Sequence, residues 1–122
     1  MVSGPDAPRP RRDRLSEDRI RGRRAGRRLA LAAVFEAEFG QRTPDAIVER
    51  HLALERDAEA AELAREIVAH VVEHRDTLDE QITAAAPQYP VVQLARMDRA
   101  LLRCALCEVL HSPATPARVA IA

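Results

Sequence analysis

Residues 94–110 read LARMDRALLRCALCEVL, and this stretch decides the fold class. Leu94, Met97, Leu101, Leu102, Ala105, Leu106, Val109 and Leu110 recur at intervals of three and four. That spacing gathers side chains on one face of an α-helix. Asp98, Arg99, Arg103 and Glu108 supply polar positions, and neither Gly nor Pro interrupts the run. The pattern predicts a helix over 94–111 with a wide apolar face, stopped by Ser112-Pro113.

Upstream, Pro87 and Pro90 bracket a short linker around Tyr89. Before it, Leu63, Ile67, Val68, Val71, Leu78 and Ile82 keep helical spacing, and Asp57 is placed to cap that segment. Asp76 followed by Asp79 offers an internal start signal, so a kink is expected near Asp76. Thr43-Pro44 reads as an N-cap followed by Pro in the first turn, opening a helix with Ile47, Val48 and Leu52 inside. The first helix is expected from about Arg23 to Phe39, with Gly40 as its stop. Downstream, Thr115-Pro116 repeats the cap signal, and Ala117 to Ile121 begin a further helix that reads as cut short.

Composition agrees. Of 122 residues, 47% are apolar and only 2% aromatic, and 23 are Ala. Strands favour β-branched and aromatic residues, so this chain leans to an all-α domain. Two Cys cannot build a disulfide framework. No apolar run approaches the roughly 20 residues of a membrane span. Arg27-Arg28-Leu29 has the look of a twin-arginine leader, but the apolar run after it is short and ends at Glu36. A soluble, cytoplasmic protein is expected.

The formal net charge of zero hides an asymmetry. Residues 1–28 hold ten Arg against four acids, a local charge of +6; residues 29–122 hold nine Arg against fifteen acids, a local charge of −6. A basic arm on an acidic body suits an anionic partner. Few apolar residues and Pro5, Pro8 and Pro10 argue that residues 1–22 form a disordered, Arg-rich arm, with residues 23–122 as the helical domain.

Three constellations bear on chemistry. His70-Val71-Val72-Glu73-His74 matches an inverted zinc-protease motif, with two His at i, i+4. A protease needs a third ligand and a cleft, and the nearby acids at 76–80 share the same or the adjoining helix, so no metal site is assigned. Cys104-Ala105-Leu106-Cys107 has no second pair and lies in an apolar helix, where free Cys acts as a small buried hydrophobe. No Gly-rich phosphate loop or nucleophile–base set occurs. No catalytic residue and no cofactor are therefore assigned. The third constellation is Arg23, Arg24, Arg27 and Arg28. If they open a helix, they oppose its dipole, which favours phosphate binding over a structural role.

Together these stretches resemble a family. Arg23-Arg24-Ala25-Gly26-Arg27 followed by residues 29–35 resembles the opening helix of the transcription antitermination factor NusB family. Leu78-Asp79, the run from Arg96 to Leu110, and Thr115-Pro116 with Val119-Ala120-Ile121 match further family stretches, in order. The resemblance implies a helical bundle of two packed subdomains, the second incomplete at the C-terminus. It implies a chain lacking most of the final helices, with apolar face of the helix at 94–111 exposed in their absence, and marginally stable alone. It implies binding of single-stranded boxA RNA in ribosomal RNA leaders, jointly with the ribosomal protein NusE, within the RNA polymerase antitermination complex. By position, Arg23, Arg24, Arg27, Arg28 and Arg99 would contact RNA, and Phe35 and Asp98 would face the protein partner. Arg103 reads instead as a structural residue paired with an acid such as Glu108. A homodimer is left open. The competing reading is the NusB-like accessory domain of a ribosomal RNA cytosine methyltransferase, whose catalytic region 122 residues do not hold.

Overall fold

The computed structural model describes residues 10–111. Helix α1 spans Arg11–Ala37, α2 Pro44–Leu52, α3 Ala58–Ala85 and α4 Arg96–His111, with a 3-10 turn at Val91–Gln93 before α4. There is no strand among the described residues, and the expected all-α class holds. The helix expected after Thr115-Pro116 lies outside the described residues.

Local chemistry sets most boundaries. Thr43 caps α2, its Oγ1 accepting from the Ala46 N–H at 3.4 Å, with Pro44 in the first turn. Asp57 caps α3, its Oδ1 accepting from the N–H groups of Glu59 at 2.9 Å and Ala60 at 3.2 Å. Gly40 adopts φ +77°, the left-handed conformation that ends the turn after α1. The break in α3 falls at His74 (φ −110°, ψ 16°), slightly before the expected Asp76.

Two features differ from the sequence reading. First, α1 begins at Arg11, so residues 11–22 of the expected disordered arm are helical. Arg23 to Arg28 are therefore mid-helix, and the helix-dipole argument for them no longer applies. The buried face of α1 is a stripe of small residues: Gly22, Gly26, Ala30 and Ala33, followed by Val34. It lies along α3 at close range. A Cβ on Gly26 would sit 2.8 Å from the Ala60 carbonyl oxygen and 3.0 Å from Leu63 Cβ.

Second, α4 starts at Arg96, with Leu94 in extended backbone, and the face it buries is made of small and charged residues. Its buried residues are Ala100, Arg103, Cys104, Cys107 and Glu108, while Met97, Leu101, Leu102 and Leu110 are exposed. Ala and Cys let α4 approach closely, and the two charged residues find partners inside. The core is formed by Ile47 and Val48 of α2, Ile67, Val68 and Leu78 of α3, Ala30 and Ala33 of α1, and Cys107 of α4.

Candidate functional site

The exposed basic face of α1 and the buried ion pairs beneath it have the same origin, the Arg residues of α1 and α4. Arg24 and Arg28 stand four residues apart on one side of α1, and both are exposed. Neither has a carboxylate partner among the described residues. Arg21, one turn before Arg24, is exposed and pairs with Asp18. Arg23 is half-buried and engaged in contacts of its own.

Arg27 behaves differently. Its Nε donates to Glu108 Oε1 at 2.8 Å, and the two side chains are 23% and 3% exposed. Glu108 is thus the partner of Arg27, not of Arg103 as the sequence suggested. A carboxylate this deep needs its counter-charge, so Arg27 is committed to holding α1 on α4.

Arg99 and Arg103 are also committed. The Arg103 fork donates from Nε and Nη2 to Asp79 Oδ1 and Oδ2 at 2.7 and 2.8 Å, and Nη1 donates to Glu38. Arg99 Nε donates to the other Glu38 oxygen at 3.0 Å. Two guanidiniums and two carboxylates thereby join the end of α1, the second half of α3 and α4. The hydrogen bond to Asp79, strengthened by the charges of Asp79 and Glu38, raises the Arg103 pKa against the effect of burial. Two parallel N–H···O bonds to one carboxylate form a geometry that Lys cannot reproduce.

Phe35 is half-buried, packed against the core, and meets Phe39 edge to face at a centroid distance of 5.4 Å. Phe39 is half exposed, and the Arg96 guanidinium lies 4.8 Å from its ring centroid. These rings, with Leu31 and the exposed Met97, line a shallow groove that Arg28 borders. Asp98 follows Met97 in the first turn of α4 and is exposed. The structure therefore brings Arg28, Phe35 and the start of α4 around one groove, while Arg27 and Arg99 are drawn into ion pairs. A linear reading counts Arg residues but does not see which acids reach them from another helix.

The remaining motifs are accounted for by position. Both Cys are buried, and burial is the largest factor pushing each thiol up to about 12, so they stay protonated core residues. His70 and His74 are half-buried and stand beside a third imidazole, His111 at the end of α4. Desolvation, then repulsion from His74 and His70, lowers the His111 pKa despite Glu73. No helix among the described residues is long and apolar enough to cross a membrane.

The class this describes is a small helical bundle, braced by buried Arg–carboxylate pairs, with unpaired Arg residues on the outer side of its first helix. The chain belongs to the NusB family, whose sequence model matches residues 24–122. It is 36% identical to the transcription antitermination protein NusB of Symbiobacterium thermophilum, over 82% of this chain and 71% of that protein. The protein of the same name from Dehalococcoides mccartyi is 34% identical over 81% of this chain and 70% of its own length. That from Chloroflexus aggregans is 42% identical over 81% and 64%. No solved structure matches. These relatives are all named as transcription antitermination proteins.

Proposed function

We propose that this chain binds single-stranded boxA RNA of ribosomal RNA leaders together with the ribosomal protein NusE, and acts in the cytoplasm within the RNA polymerase antitermination complex. The observation that carries this reading is the exposed, unpaired pair Arg24 and Arg28 on α1, next to a groove floored by Phe35. Guanidinium groups four residues apart can hold successive phosphates bidentately and stack on unpaired bases. The basic N-terminal stretch supplies further charge, with Arg11 and Arg12 also exposed. Arg23 is a lesser RNA contact because it is half-buried, and Arg27 and Arg99 support the surface from beneath. The groove at Phe35 and the exposed Asp98 form the face offered to the basic ribosomal protein. The −6 charge of residues 29–122 would speed that encounter more than it would raise affinity.

Replacing Arg24 and Arg28 with Ala should weaken RNA binding and flatten its salt dependence. On single strands, the slope of log K against log salt falls by roughly 0.7 per lost phosphate contact. A salt titration followed by fluorescence anisotropy reads this directly, and an unchanged slope would remove these residues from the interface. Asp98→Arg should weaken NusE binding at least ~10-fold, as a like-charge contact of about 1.4 kcal/mol would require. RNA-only binding should stay intact. Equal loss of both, with lower helicity, would make Asp98 structural.

A further inference from the structure

Three of the four histidines of this chain meet at one place. His70 and His74 lie one turn apart on α3, and His111 reaches them from the last turn of α4. The His74 and His111 rings are nearly parallel with centroids 4.0 Å apart. His70 is 5.6 Å from His111 and 6.0 Å from His74, centroid to centroid. Glu73 adds a carboxylate, with Oε2 3.7 Å from His74 Nε2. Potential ligand atoms of His70, Glu73 and His74 all lie within 4.8 Å of one another.

We propose that His70, His74 and His111, with Glu73, form a binding site for a divalent late transition-metal ion, pinning the end of α4 to the kink of α3. Three observations carry this. The first is convergence from two helices. The i, i+4 pair on α3 supplies two ligands, and the third comes from a separate element, which a lone helical motif cannot provide. The second is an orphaned polar atom. His70 Nδ1 is buried without a hydrogen-bond partner, although buried ring nitrogens are normally satisfied. The third is the backbone. The only residue inside α3 with non-helical dihedrals is His74 itself, so the kink of the helix falls within the cluster.

Imidazole with one carboxylate is a borderline donor set, suited to Zn, Ni, Cu or Co rather than to Mg or Ca. Metal–nitrogen bonds of about 2.0–2.1 Å require the rings to turn about their side-chain torsions so that their edges converge. All three side chains are half-buried, which leaves room for that movement and a path for the ion. Cys104 and Cys107 are not ligands here. Both thiols are buried, and the Cys107 Sγ is directed to the Ile67 carbonyl at 3.7 Å. Metal binding at this site needs neither RNA nor a protein partner, so it stands apart from the antitermination reading.

The test uses the untagged full chain. Co2+ is titrated and followed by visible absorption, and Zn2+ affinity is measured by competition with a chelating dye. One equivalent should bind, with ligand-field bands and no sulfur-to-cobalt charge-transfer band. His74→Gln and His111→Gln should each weaken binding by about 100-fold or more, since even outer-shell changes cost 10- to 100-fold. His51→Gln and the Cys104→Ser/Cys107→Ser pair should bind as the parent does. Zn2+ should raise the thermal midpoint of the parent and not that of His111→Gln, whose metal-free midpoint and helicity report whether it folds. Absence of saturable binding by the parent would overturn the proposal. So would unchanged affinity in a folded His111→Gln chain, or a sulfur charge-transfer band assigning the ion to the cysteines.

Discussion

Arg103→Met is expected to lower the stability of the bundle by about 3–5 kcal/mol, the cost of breaking one side of a buried ion pair. Small domains hold together by roughly 5–15 kcal/mol, so the variant should be near unfolding at ordinary temperature. The size of the effect follows from what is left behind. Asp79 loses both of its hydrogen bonds from Arg103, while Glu38 keeps Arg99 and loses one. Glu38 is 8% exposed and Asp79 26%, so Glu38 is deeply desolvated and Asp79 is partly relieved by water. Arg103→Lys should recover only part of the loss, because one ammonium cannot fork across Asp79 and still reach Glu38. Arg103→Met combined with Asp79→Leu should be less damaged than Arg103→Met alone, because the stranded charge is removed. Urea unfolding of the three variants reads all of this. A loss under about 1 kcal/mol for Arg103→Met, the range of exposed pairs, would mean the network contributes no more than a surface contact.

Gly26→Val is the second large effect, about 3 kcal/mol at the upper end of what overpacking costs. At Gly26 the nearest atom to an added Cβ is a backbone oxygen, that of Ala60 at 2.8 Å, and backbone cannot rotate away. The α1–α3 contact would have to open along its length. Gly26→Ala gains up to about 1 kcal/mol in helix propensity but meets the same oxygen, so it should still be destabilising. Gly22→Ala provides the contrast. There the nearest atoms belong to the Asp57 carboxylate, so the loss should be confined to the α3 cap, about 1 kcal/mol. Thermal unfolding should rank the variants Gly26→Val, then Gly26→Ala, then Gly22→Ala. A Gly26→Val chain as stable as the parent would show that α1 and α3 are not in this close contact.

Local chemistry was legible in the sequence and distant pairing was not. Thr43-Pro44, Asp57 and Gly40 mark helix ends because capping and left-handed backbone depend on a few adjacent residues. Exposure of apolar face on α4 was expected from the resemblance, and Met97, Leu101, Leu102 and Leu110 are exposed while Leu106 packs against the core. What was not legible is that Arg103 and Glu108 turn inward beside Ala100, Cys104 and Cys107, because their partners Asp79 and Arg27 lie on other helices. The start of α1 was misplaced for a related reason. Low apolar content in residues 11–22 says nothing about a helix supported by charge pairs such as Arg21 with Asp18, or Arg19 with Glu59 at 3.2 Å. A usable signal was present: Gly22, Gly26, Ala30 and Ala33 repeat at helical spacing and mark a close helix crossing. The Arg cluster was visible as a cluster, but not the division that leaves Arg24 and Arg28 outside and draws Arg27 in. Similarly, the H-x-x-E-H motif lacked a third ligand until α4 brought His111 across to it.

The most direct measurement is fluorescence anisotropy of the 122-residue chain with labelled boxA RNA and a scrambled RNA of equal length, each with and without NusE. Tighter binding of boxA than of the scrambled RNA, strengthened by NusE and weakened with Arg24 and Arg28 replaced, is the predicted result. Equal affinity for both RNAs, unaltered by NusE while the chain remains helical, would contradict the proposed function.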